Sequence, residues 1–298
     1  MNALPVTSLL AHRIGVFAHD LLTQKGCGRV MGTTARGIFV QTPANRVVFI
    51  SSVPVPGPLT IQVRGSQPDA QRLSQEEKIE ISSHTLTFTE SRLKLDFGRA
   101  TIWTPSPHSP VDRTFADRQS HLLAVMDGLK NSGRQSEFFS SFLQLLNVKE
   151  KVLPLALPEI VQQLHLLQVA LRAHDESCVL ESLPRFLGHG AGLTPAGDDF
   201  IWGFLLALNR WQDVLSPSFD LKRLNAAVIE QAERGTTCLS LTLMEAACHG
   251  WTDANLLKVL DSIFVGGISV TECVQLILAY GNTSGLEAWA GMAMASLP

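Results

Sequence analysis

TPSPHSP, residues 104–110, sets three prolines within seven residues. Proline fixes φ and removes a backbone donor, so neither a helix nor an inner strand runs through such a stretch. The two sides of it follow different periodicities. Upstream, between residues 28 and 104, stand GIFVQT, RVVFISS, LTIQVRG, KIEISS, TLTFTE and LKLDFGRATIWT. Each is short, β-branched or aromatic, and bounded by turn residues. KIEISS and LKLDF alternate apolar and polar residues, the period of a strand with one wet face. One helix, around residues 7–24, is expected to lead into these strands. Downstream the period becomes helical, with helices predicted over 114–131, 136–147, 157–174, 176–187, 199–212, 219–249, 253–264, 269–280 and 284–297. The fold class expected is therefore α+β: a β-rich sandwich or barrel in residues 1–110, then an all-helical domain in residues 111–298.

Composition narrows the function classes. The chain has 298 residues, 45% of them hydrophobic and only 17% charged, with five cysteines and a net charge of −3. A chain of this length buries a large core, and a mean hydropathy of +0.15 points to large internal or subunit interfaces. A slightly acidic balance lacks the basic footprint of a nucleic-acid binder. Cys27, Cys178, Cys238, Cys248 and Cys273 show no paired spacing and read as reduced, mostly buried thiols. The start, MNALPVTSLLAHRIGVFAHDLL, carries no basic region before an unbroken apolar run, and no segment reaches the roughly 18 apolar residues of a membrane span. The cytoplasm is the expected compartment, with no membrane partner. The nine histidines show no HExxH spacing, which argues against a zinc hydrolase.

GHGAGLTPAGDDF, residues 188–200, carries the most chemistry. Gly188, Gly190 and Gly192 permit positive φ and a close backbone approach to a ligand. Thr194 and Pro195 suit the N-cap and first position of a helix, although a Pro195–Gly197 turn with the helix starting at Asp198 fits equally. Either way a helix N-terminus is delivered, with free N–H groups for a phosphate or carboxylate. Asp198 and Asp199 then enter FIWGFLLALNRW, apolar on every side. In the plain structural reading the two aspartates only complement the dipole of their helix. In the functional reading they hold a cation such as Mg²⁺, or a ligand amide or ammonium group. The stretch lacks the Gly-Lys-Ser/Thr ending of a nucleotide phosphate loop.

Two further stretches are chemically related. ERGTTCLSLTLMEAACHG, residues 233–250, sets Thr236 and Ser240 one turn apart with Arg234 just upstream, inside a helical pattern. Back-bonded hydroxyls at a small-residue helix contact would explain them structurally. GNTSGLEAW, residues 281–289, contains Ser284-x-x-Glu287, the pattern of a capping box opening the last helix.

GxGxGLTPxGDDF, then TTxLS, then GxxSG, in this order and at these separations, resemble the signature of a bacterial domain-of-unknown-function family that includes the accessory subunit of oxamate carbamoyltransferase, from anaerobic allantoin breakdown. The β-rich first half, with its GPLTIQV stretch, also suits that family. The third motif departs from it: Asn282, Thr283 and Glu287 stand where the family tends to have His, Ser and Asp. His189 takes a place usually apolar. The resemblance implies a subunit, or a close relative, of a system that exchanges oxalurate plus phosphate for oxamate plus carbamoyl phosphate in purine nitrogen catabolism, together with partner subunits. On that basis Asp198 and Asp199 are the expected catalytic groups, holding either a divalent cation such as Mg²⁺ or a substrate amide. Gly190, Gly192, Thr194, Arg234, Thr237, Ser240 and Ser284 are the expected ligand-binding residues for a small anionic phosphate or carbamoyl compound. Two alternatives stand beside this one: a noncatalytic assembly subunit for catalytic partners, and a free-standing hydrolase or lyase acting on a small amide.

Overall fold

A computed structural model of the chain describes residues 7–64, 73–147, 157–215 and 219–297. Its contacts divide into two compact units, one running to Ser106 and taking in Thr252–Ala254, the other holding the rest. Among the described residues the first unit has nine strands: β1 (Thr7–Gly15), β2 (Gly26–Thr34), β3 (Gly37–Gln41), β4 (Val47–Ser51), β5 (Thr60–Val63), β6 (Lys78–Ile81), β7 (Thr85–Phe88), β8 (Leu93–Asp96) and β9 (Thr101–Trp103). Their order is β5-β4-β3-β2-β6-β7-β8-β1-β9, and β1 also pairs with β5. That pairing closes strands β1–β8 into a barrel, with β9 added alongside β1. Of the two expected β architectures, the barrel is the one present.

Closure depends on β1. Its residues Thr7–Leu10 pair in parallel with Leu93–Asp96, and Ala11–Ile14 pair antiparallel with Ile61–Val63. The helix expected over residues 7–24 is therefore corrected: the first nine residues of that span are a strand, and only α1 (Val16–Leu21) is helical. Local propensity in a Leu- and Ala-rich segment yields here to pairing with strands about fifty and eighty residues away. Strand β2 lies in GCGRVMGTT, where two glycines in the first three positions dilute the β-branched signal. Inside the barrel the alternation is plain: Ile79 and Ile81, Leu86 and Phe88, Leu93 and Leu95 are buried while their neighbours in sequence face out.

The second unit holds α2 (Phe115–Asn131), α3 (Glu137–Asn147), α4 (Glu159–Arg172), α5 (Glu176–Ser182), a 3-10 turn at Leu183–Phe186, α6 (Ala196–Arg210), α7 (Gln212–Leu215), α8 (Leu221–Gly235), α9 (Cys238–Cys248), α10 (Ala254–Val265), α11 (Val270–Leu278) and α12 (Ser284–Ser296). No helix among the described residues is long and apolar enough to cross a membrane. The single helix expected over 219–249 is two, α8 and α9. Thr236 leaves the helical region at φ −143°, ψ −175°, and Thr237 caps α9 by accepting from the Ser240 N–H.

The centre of this unit is the α6–α12 pair. Gly197–Leu208 and Gly285–Met294 are buried without interruption, as helices apolar on every side must be. Glycine sets their contact. A Cβ on Gly203 would lie 2.0 Å from the Ala288 carbonyl oxygen, and one on Gly291 would lie 2.0 Å from that of Phe200. The two backbones therefore touch. Because Ser284 meets Thr194 at the start of the pair while Gly203 meets Ala288 farther along, both helices run in the same direction and their N-terminal ends lie side by side.

Candidate functional site

Parallel neighbours bring two positive dipole ends together, an arrangement that negative charge relieves. Three carboxyl groups occupy that place. Asp198, Asp199 and Glu287 are 0%, 2% and 1% exposed. The loop before α6 supports them. It leaves the 3-10 turn through Gly188, Gly190 and Gly192, at φ 71°, 111° and 104°, values open to glycine and strained for other residues. Helix α6 starts at Ala196 with Pro195 as its N-cap, and no side chain caps it. Thr194 therefore does not cap this helix, and Asp198 does not start it.

Thr194 serves the cluster instead. Its Oγ1 lies 3.2 Å from Ser284 Oγ, and both hydroxyls hydrogen-bond to Asp199. Asp198 holds the loop to the α8–α9 break: Oδ1 accepts from the Gly188 N–H at 2.8 Å, and Oδ2 accepts from the Thr236 hydroxyl. Ser240 also hydrogen-bonds to Asp198. Thr237 donates to the Leu193 carbonyl at 2.7 Å, while its oxygen lies 3.1 Å from Ser240 Oγ. Thus α6, α9 and α12 all begin at this loop. A fourth helix joins through Ser136, which accepts from the Phe139 N–H at the start of α3 and donates to Glu287 Oε1.

Burial dominates the electrostatics. It raises Asp199 well above the ordinary aspartate range; the Ser284 hydrogen bond opposes this, Glu287 repulsion adds to it, Thr194 opposes it, and Asp198 repulsion adds again. Asp198 is also raised by burial, against hydrogen bonds from Thr236, Gly188 and Ser240. Glu287 is raised by burial against the Ser136 hydrogen bond. Its second oxygen, Oε2, is buried without a hydrogen-bond partner among the described residues, an omission that costs about 1–3 kcal/mol or more for a charged group.

Of the residues expected to bind ligand, the structure brings Gly190, Gly192, Thr194, Thr237, Ser240 and Ser284 to one place with both aspartates. Arg234 is not among them: it ends α8 with its guanidinium exposed and paired with Glu230 at 3.0 Å. Glu287 is the residue that sequence reasoning passed over. The capping-box reading is corrected, because Ser284 lies inside α12, the N-cap Thr283 makes no side-chain bond to the helix backbone, and Glu287 reaches Ser136. The signal was available: GLEAWAGMAMA is as apolar around Glu287 as FIWGFLLAL is behind Asp199. As a Mg²⁺ site the cluster fits poorly. Among the described residues no three His, Cys, Asp or Glu side chains are grouped to hold a metal ion, and Mg²⁺ asks for octahedral oxygen ligands, whereas the oxygens of Asp198 already accept internal donors.

The exposed backbone of the loop completes the site. Gly190, Ala191, Gly192 and Leu193 are exposed, and their N–H groups have no hydrogen-bond partner among the described residues. Residues 186–296, which contain the glycine loop and all of α6 through α12, match the family model of the oxamate carbamoyltransferase subunit AllH. All three motifs named in the sequence lie within that segment. No solved structure matches the chain.

Proposed function

We propose that this chain is a subunit of an oxamate carbamoyltransferase-type system, and that the loop Gly188–Pro195 with the beginnings of α6, α9 and α12 forms its substrate pocket. The convergence of three helix N-termini on one glycine loop, over carboxyl groups that burial keeps protonated more readily than usual, carries the reading. In such a system a phosphate oxygen attacks the carbamoyl carbon of oxalurate. The bond from that carbon to the oxamate nitrogen breaks, the nitrogen takes a proton, and carbamoyl phosphate forms. The N–H groups of Gly190–Leu193 suit the phosphate or carboxylate, because a helix N-terminus and its preceding loop favour anions. Asp199 suits the proton, since burial raises its affinity for one well above that of an ordinary aspartate. Asp198, whose two oxygens accept Gly188 and Thr236, holds the loop in place. The work would be done in the cytoplasm with partner subunits, and the five free thiols would stay reduced there.

The internal satisfaction of Asp198 favours a second reading, a subunit that shapes an interface for catalytic partners and binds nothing itself. Ligand-induced stabilisation separates the two. With phosphate, oxamate or carbamoyl phosphate at 100 times Kd, a binding chain gains about 2.7 kcal/mol. If none of the three shifts the melting temperature, and the chain co-elutes with co-expressed neighbours, the assembly reading replaces the pocket. If one does, turnover of oxalurate with phosphate by the assembled subunits, and its loss in Asp199→Asn, tests the reaction.

A further inference from the structure

The acceptor positions of the carboxyl cluster are unevenly filled. Asp198 receives Gly188 and Thr236 on separate oxygens. Asp199 receives Ser284 and Thr194. Glu287 receives Ser136 on Oε1 and is also hydrogen-bonded by its own N–H and the Thr283 hydroxyl, while Oε2 is left without a donor among the described residues. At 1% exposure, solvent cannot make up the difference. The place of this oxygen is set by the helix pair. Both helices run in the same direction, with Ser284 meeting Thr194 and Gly203 meeting Ala288, which sets Asp199 and Glu287 at neighbouring N-terminal ends. Glu287 accordingly repels Asp199, and more strongly than Asp198 does.

A buried acceptor oxygen without a donor selects what lies against it. A carboxylate or phosphate oxygen would be repelled there, whereas an amide N–H would be paired. We propose that Glu287 is a ligand-contacting residue whose Oε2 accepts an N–H from the amide end of the substrate, so that it distinguishes an amide-bearing carboxylate from a plain dicarboxylate. This rests on the pocket reading above. Oxamate and oxalate form the matched pair: they share one carboxylate, and oxalate sets a second carboxylate where oxamate has its amide. A site built to receive an N–H rejects the analogue that lacks it far more strongly than a merely apolar site does.

The experiment is calorimetric titration of the full chain with oxamate and with oxalate. The parent is expected to bind oxamate at least about tenfold more tightly than oxalate. Glu287→Met keeps the length of the side chain in an apolar helix and removes both acceptors; it is expected to bring the two ligands within about twofold of each other. Glu287→Gln keeps one acceptor without the charge and is expected to fall between; should the methionine variant fail to fold, it supplies the measurement. Ser136→Ala leaves Oε2 intact and should retain the preference, which separates recognition from loss of packing. An unchanged preference in both Glu287 variants, or binding of both ligands by the parent without preference, overturns the role of Glu287 and leaves the pocket standing. Binding of neither ligand by the parent removes the pocket and this role together.

Discussion

The hydroxyls of Thr194 and Ser284 lie 3.2 Å apart with 90 residues of chain between them, and the carboxyl of Asp199 accepts from both. One residue ends the glycine loop and the other opens α12, so this contact fixes the loop against the central helix pair. Ser284→Ala is expected to cost about 1–2 kcal/mol, since it leaves a buried carboxyl short of a donor, and Thr194→Val a similar amount. Because both serve one acceptor, the double variant should cost less than the sum. Urea denaturation of the four proteins measures this. Strictly additive costs would show that the hydroxyls act separately.

Backbone contact between α6 and α12 makes a sharper prediction. The methyl group of Gly203→Ala would lie 2.0 Å from the Ala288 carbonyl, and a carbonyl in a buried helix cannot turn aside as a side chain can. The helices must separate, at a cost of about 1–3 kcal/mol or more. Gly235→Ala is the control: its added carbon comes no nearer than 3.7 Å, to Leu187. There the better helix propensity of alanine should leave stability unchanged or raise it by up to about 1 kcal/mol. Equal melting temperatures for the two variants would mean that the central helices are more loosely packed than described.

Much of this is legible in the sequence, and what is not has physical causes. The strands from β3 onward and most helices announce themselves through period two and period 3.6. Strand β1 does not, because its partners are far away in sequence and its own residues suit a helix. The break at Thr236 and Thr237 was hidden because hydroxyl residues serve a helix interior and an N-cap with equal ease; only the packing against Leu193 and Asp198 decides. The glycines and aspartates were legible because burying two adjacent carboxyl groups beside an apolar helix demands partners. The same demand at Glu287 was masked by a local pattern that explained it without burial. Arg234 illustrates the reverse error, a charge assigned to the site by nearness in sequence whose side chain pairs along its own helix.

His121 carries a prediction away from the candidate site. Its Nε2 lies 3.0 Å from Ser262 Oγ, which donates to the Val259 carbonyl at 2.7 Å and has Cys273 Sγ at 3.3 Å. With its own proton committed, the serine oxygen accepts, and the imidazole is neutral with its proton on Nε2. Burial and, next, the Arg113 charge lower its pKa from 6.5 to about 4. A lowered value means that the unfolded chain binds the proton first. Stability from this group is complete above pH 6.5 and is lost as pH falls from 6.5 towards 4, about 3 kcal/mol in all. His121→Gln, which keeps a donor for Ser262 and cannot titrate, is expected to flatten that limb of the stability curve. A parent and variant with parallel curves between those values would show that the imidazole is already charged in the folded protein.

Asp199 works in the opposite direction, and its pH dependence decides between a ligand-facing carboxyl and a helix cap. Burial, with repulsion from Glu287 and Asp198, raises its pKa well above 3.8. The folded protein therefore holds the proton more tightly than the unfolded chain does. That contribution is fully present below the unfolded value and is lost as pH rises through the raised one. Asp199→Asn removes the titration while its amide can still meet the Ser284 and Thr194 hydroxyls. The stability of the variant relative to the parent is expected to climb as pH rises from the ordinary aspartate value towards the raised one, and to resist added salt because the group is buried. A carboxylate retained only to complement the dipole of α6 predicts the contrary: the asparagine variant would lose about 0.3–1 kcal/mol at neutral pH, and salt would shrink the difference. Chemical denaturation of both proteins across that range, at low and high salt, reads the sign directly. A negative difference at neutral pH that salt diminishes would make Asp199 a cap and withdraw it from the pocket.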